Sequence, residues 1–173
     1  MGENYLNVRS QMKTGDVILW KTVSPIGWAI RMFSGGDFNH CSLVVDINGY
    51  DELVDRKFLM ESVGSGVVLS SLRRVLKKHD GEAYWLPLKK EFDDKRMDIG
   101  NWAFQQVGIK YDYVGLFRQI FGKISANADL YFCSEFTYLA WKNVDIPMYN
   151  PGKLAPRPGD IPELGIFENA VII

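Results

Sequence analysis

Two cysteines, two histidines and a glutamate set among apolar neighbours are the residues in this 173-residue chain whose types fit acyl-transfer chemistry. Cys133 sits in NADLYFCSEFTYLAW, Asn127–Trp141, at the expected start of a buried helix. From Cys133 onward, Phe136, Thr137, Ala140 and Trp141 recur at helical spacing, so one mostly apolar face begins with the thiol. In the first turn, that thiol would feel unpaired backbone N–H groups and the positive end of the helix dipole. Both favour the thiolate, and a free N–H there could also hold an oxyanion. The other reading of the same residue is a small buried hydrophobe, since free cysteine is among the most buried residue types.

A cysteine hydrolase needs a base for its thiol and a third group to fix the tautomer of that base. His79 lies in the charged turn KKHDGE and reads as a solvated loop residue. His40 opens the run HCSLVVDI, where alternation puts His40, Ser42 and Val44 on one face and Cys41, Leu43 and Val45 on the other. Glu61, in FLMESV, is the candidate orienter. A carboxylate buried there without a partner would cost several kcal/mol, so it titrates, reaches solvent or meets a donor such as an imidazole N–H. Cys41 is adjacent to His40 but points to the opposite face, which makes it core filler and argues against a Cys41–Cys133 disulfide if Cys133 faces the imidazole.

These side chains depend on the elements around them. The polar residues to Lys13 read as a short helix or arm, and Thr14-Gly15-Asp16 as a turn into a buried strand over Val17–Trp20. Ser24 and Pro25 cap a helix over Ile26–Phe33, and strands follow at Asn39–Ile47, Lys57–Val63 and Gly66–Ser70. If the first two of these three pair antiparallel across Asn48–Arg56, His40 and Glu61 can share a face. A basic helix, Leu72–Lys78, precedes a strand at Ala83–Leu88, whose Pro87 places its end at an edge. The second half turns helical. Asp94–Val107 ends at Gly108, and a helix capped by Asp112 carries the stripe Phe117, Ile120, Phe121 and Ile124. Pro147–Pro162 reads as a stretch with little regular structure, and Ala170–Ile173 as a last strand. With no repeat and no compositional break, residues 1–173 read as one α+β domain.

Composition sets the outer limits. A chain of this length buries roughly two thirds of its unfolded surface, and 47% apolar with 24% charged residues is ordinary for a globular protein. A net charge of −1 with no basic block argues against nucleic acid as a partner. Two cysteines make no disulfide framework, and their spacing matches no zinc motif. No apolar run approaches a membrane span, and MGENYLNVRS lacks the apolar core of a signal peptide. The sequence as written is expected to be cytoplasmic. A signal peptide removed upstream would make it periplasmic or secreted.

The order of parts, GDVILW, NHCSLVV, MESVGSGVV, KYDYVGLF and YFCSEFTYLAW, resembles the YiiX-like (YebB-like) family, circularly permuted relatives of NlpC-type cell-wall peptidases with a papain-like fold. The histidine precedes the cysteine helix, as in the permuted group. The resemblance implies Cys133 as nucleophile, His40 as general base, Glu61 as the third polar member, and no metal or organic cofactor. It implies cleavage of an amide or ester through an acyl-enzyme, on a small peptide, a cell-wall fragment or a lipid-linked amide. Tyr111, Tyr113 and Asn39 are the candidates for substrate contact and for the second oxyanion donor. Two other activities fit the same fold: acyl transfer, as in relatives similar to lecithin:retinol acyltransferase, and binding of a peptide or lipid without turnover. The Phe117–Ile124 stripe reads first as a face packed on the sheet; for acyl transfer it would suit an acyl chain or a membrane surface.

Overall fold

A computed structural model describes residues 3–23, 37–47, 56–63, 66–108, 128–150 and 156–173, with the side chains of the 128–150 segment described from Cys133 onward. Six strands form one sheet: β1 (Val17–Thr22), β2 (His40–Asp46), β3 (Lys57–Val63), β4 (Gly66–Ser71), β5 (Gly81–Leu86) and β6 (Val171–Ile172). Their order is β4-β3-β2-β1-β5-β6, and every pairing is antiparallel. Among the described residues the α-helices are α1 (Glu3–Val8), α2 (Leu72–Lys78), α3 (Arg96–Gln105) and α4 (Ala128–Lys142). The architecture is α+β.

Alternation along the strands splits the interior into two layers. Val17, Leu19, Cys41, Leu43, Val45 and Met60 face α3 and α4, joining Ile99, Ala103, Cys133, Phe136, Ala140 and Trp141 in one core. Ile18, Trp20, Val44, Leu59 and Ala83 face the other way, against Tyr5 and Met12 near the N-terminus and Leu72 and Leu76 of α2. On α4 the buried positions 133, 136, 137, 140 and 141 form the helical stripe that the sequence predicts. Trp141 is fixed at the far end of that stripe, its indole Nε1 donating to the Gly15 carbonyl at 3.1 Å.

Three expectations are corrected here. The helix bearing Cys133 begins at Ala128, so the cysteine is its sixth residue, in the second turn. Its N–H therefore belongs to the helix's own hydrogen-bond ladder rather than to the free first-turn groups. Pro147–Pro162 is less irregular than its Pro and Gly content implies, because a 3-10 helix runs over Pro158–Leu164. Pro158 supplies a helical φ at its start, and Asp160 closes the turn by accepting from the Arg157 backbone N–H at 3.0 Å. The residues ahead of α3 also form a 3-10 turn, Lys90–Lys95, rather than its first α-helical turn. The expected helix over Ile26–Phe33, the Asp112-capped helix and the Phe117–Ile124 stripe lie outside the described residues.

Candidate active site

His40 is the first residue of β2, paired with Trp20 of β1. The strand mouth is clipped at this point. Asn39 donates its backbone N–H to the Trp20 carbonyl at 3.0 Å, its Oδ1 accepts from the Thr22 N–H at 2.8 Å, and its Nδ2 donates to Thr22 Oγ1 at 3.1 Å. Asn39, a candidate for substrate contact, thus uses both ends of its amide to hold the strand that carries His40. The other two candidates, Tyr111 and Tyr113, lie outside the described residues.

β3 pairs antiparallel with β2, and this brings Glu61 to His40, whose Nε2 donates to Oε1 at 3.2 Å. The same carboxylate oxygen accepts from Ser42 Oγ at 2.8 Å, and Ser42 in turn accepts from Trp20 Nε1 at 2.8 Å. Burial pushes the Glu61 carboxyl up, but hydrogen bonding and charge from His40, with hydroxyl donation from Ser42 and Ser70, outweigh it and leave the pKa below its usual value. A 7% exposed carboxylate is thereby kept ionised, with its partners identified. The sequence pattern singled out Glu61 and His40 but not Trp20, Ser42 or Ser70. Ser42, two residues after His40 on the same strand face, is the one that alternation could have flagged.

Cys133 approaches from the α4 layer and is 5% exposed. With Nε2 turned to Glu61, Nδ1 is the ring nitrogen left for the sulfur. Burial alone would lower the His40 pKa. The negative charge and hydrogen bonding of Cys133, reinforced by Glu61, instead raise it to about 10. The Cys133 thiol is held well below its usual value. The largest cause is hydrogen bonding from Cys41; burial opposes it, and the His40 charge adds to the lowering. These shifts favour a charged sulfur facing a charged imidazole, with the Glu61 carboxylate against the ring.

Cys41 is therefore more than filler. It lies in the same core as Leu43 and Val45, as alternation predicts, but α4 packs on that face and brings Cys133 alongside it. Both cysteines are free thiols. The Cys41 Sγ also lies 3.6 Å from Thr137 Oγ1, whose hydroxyl sits 3.3 Å from the Cys133 carbonyl oxygen, so it abuts α4 within one turn of Cys133. Burial and the Cys133 charge push the Cys41 pKa well up, so Cys41 stays protonated and acts as the donor. Glu135, a further residue the sequence pattern did not mark, has its carboxyl raised to about 7 by burial and by the Cys133 charge. Among the described residues, no three His, Cys, Asp or Glu side chains gather to hold a metal ion.

The same architecture occurs in YiiX from Escherichia coli O157:H7, a crystal structure described as that of a metalloprotein. The two share 21% identity over 78% of this chain and 67% of that one, with a TM-score of 0.56. No protein of curated function matches the chain. The sequence profile of the permuted papain-like amidase enzymes, YaeF/YiiX, matches residues 11–160. With the histidine strand ahead of the cysteine helix and that profile covering most of its length, the chain belongs to the permuted papain-like amidase family (YaeF/YiiX, C92), whose activity is of the cysteine-hydrolase type.

Proposed function

We propose that this protein hydrolyses an amide through a covalent acyl-enzyme formed on Cys133, with His40 as general base and acid and Glu61 as the group that orients it. The observation that carries this reading is the Glu61–His40 contact at 3.2 Å on the ring nitrogen that leaves Nδ1 for the sulfur. The thiolate attacks the carbonyl carbon, forming the S–C bond as the carbonyl electrons move to oxygen. As the tetrahedral intermediate collapses, the C–N bond breaks and His40 delivers its proton to the departing amine. Water then attacks the thioester, giving its proton to His40, and the carboxylic acid leaves with Cys133 restored as thiolate. Glu61 stays ionised throughout and stabilises the imidazolium. The similar Escherichia coli protein is described as a metalloprotein. In this chain the only histidine of the site is already engaged by Glu61 and Cys133, and the proposed steps run without a metal.

The substrates this reading favours are small peptides, cell-wall fragments and lipid-linked amides. A panel of peptidoglycan stem peptides, N-acyl amino acids and phospholipids, with products identified by mass, tests it. The expected result is a free amine and a free acid in equal amounts from at least one amide, and their loss in Cys133→Ala. Iodoacetamide should label Cys133 selectively, with His40→Ala slowing the labelling by roughly 10²-fold or more. Equal labelling of Cys41 and Cys133, unchanged in His40→Ala, would overturn the assignment.

A further inference from the structure

Six cations, Arg9, Arg56, Lys57, Arg73, Arg74 and Lys77, line one groove of about 790 Å³. It lies over the Lys57 end of β3, on the sheet face covered by α1 and α2, and Ser71 adds a hydroxyl to its wall. Lys57 and Glu61 are four residues apart on one strand, so the groove is displaced from the candidate active site by about 13 Å along β3. The chain as a whole balances 20 basic against 21 acidic residues, so this concentration of one sign is local.

Ion pairing does not account for it. Lys57 is matched by Asp46 at 2.8 Å and is largely buried. Arg56, Arg73, Arg74 and Lys77 are exposed and enter no ion pair among the described residues. Three of them sit on α2, LRRVLKK, which has no acidic residue. Arg73 and Lys77 are four apart and Arg74 and Lys77 three apart, spacings at which like charges destabilise a helix. Leu72 and Leu76 are buried in the core, so α2 cannot turn its basic face out of the groove without unpacking. The fold thus holds mutually repelling charges around a concavity, which an anion would relieve.

We propose that this groove binds a ligand carrying clustered phosphate groups. Guanidinium forks match phosphate oxygens bidentately, and charges converging from several directions suit tetrahedral, multiply charged groups. A single carboxylate would engage one fork and leave the others uncompensated. The volume is that of a small-molecule site and exceeds the needs of one inorganic phosphate. Such clustered phosphate is presented either by a free polyphosphorylated molecule or by the headgroups of an anionic lipid surface.

The test is calorimetric titration of the intact protein with sodium tripolyphosphate, beside co-sedimentation with phosphatidylcholine vesicles that do or do not contain phosphatidylinositol phosphate. Binding is expected in at least one arm. It should weaken steeply as salt is raised and fall at least tenfold in Arg73→Gln/Arg74→Gln. Both residues are exposed and their repulsion is removed, so the variant's urea midpoint should not fall below wild type and the rate of Cys133 alkylation should be unchanged. Tripolyphosphate binding identifies a free ligand; binding to charged vesicles alone identifies a lipid surface. Absence of binding in both arms overturns the proposal, as does undiminished binding by the variant or equal affinity for polyglutamate. None of these outcomes bears on amide hydrolysis, which rests on the other end of the strand.

Discussion

At the scale of single residues, the acidity of Cys133 is set first by a neighbouring thiol and only then by the imidazole. Its thiolate is lost when pH falls through its lowered value, and the imidazolium that faces it is lost when pH rises through about 10. Alkylation of Cys133 by iodoacetamide, followed by intact mass across a pH series, should therefore be flat over a broad range with its acid limb far below that of a free thiol. Cys41→Ala removes the main donor, so the acid limb should move to higher pH, while Cys41→Ser, which keeps an O–H, should restore most of the wild-type profile. An acid limb that stays put in Cys41→Ala would reduce Cys41 to packing. Strand alternation correctly placed the Cys41 and His40 side chains on opposite faces. It also argues against a Cys41–Cys133 disulfide, and neither cysteine forms one although the two sulfurs lie side by side. Alternation treats the sheet as an unbounded plane, whereas His40 opens its strand, at the sheet's end, where side chains from both layers meet.

At the scale of elements, what could be read from the sequence tracks the strength of local punctuation. β3 and α2 have the bounds the sequence predicts, because turn residues flank the one and the charged turn KKHDGE ends the other. The start of α4 is hidden in the sequence because no proline or glycine separates Ala128 from Cys133, so the first strongly periodic residue stands out instead of the first helical one. The junction of α2 and β5 depends on Gly81, whose φ of +140° is open to glycine alone and whose added Cβ would collide with the Lys21 carbonyl oxygen. Gly81 pairs with Thr22, the residue that also holds Asn39 ahead of the histidine. Gly81→Ala should therefore lower stability by about 2–4 kcal/mol in urea unfolding and should loosen the mouth of β2 as well. A change below about 0.5 kcal/mol would mean that the strand end accommodates a Cβ by shifting.

At the scale of the whole molecule, one guanidinium ties the start of β1, the end of β5 and α3 together. Arg96 donates to Asp16 Oδ1 at 2.8 Å, to the Thr14 carbonyl at 2.7 Å, to the Leu88 carbonyl at 2.7 Å and to Asp93 Oδ1 at 2.6 Å. Asp16 is 1% exposed and also accepts from Trp85 Nε1, the Leu88 N–H and the Lys13 N–H. The sequence marks Asp16 only as part of a turn, because its partner lies 80 residues away and no local pattern reports a contact of that range. Burial raises the Asp16 pKa, with Arg96 and the backbone donors pulling it down against that trend. Arg96→Ala removes the cation and leaves a buried carboxylate, a loss of about 3–5 kcal/mol at neutral pH. In the variant the folded-state pKa of Asp16 rises further above its unfolded value. A carboxyl shifted in that direction favours the folded state at acid pH and loses that contribution as pH rises through the folded value. The deficit of Arg96→Ala relative to wild type should therefore be largest at neutral pH and shrink on acidification, and adding Asp16→Asn to the variant should remove that pH dependence. Urea unfolding at neutral and mildly acidic pH measures both. A deficit that stays constant with pH would show that Arg96 acts through its carbonyl contacts, not through the buried charge.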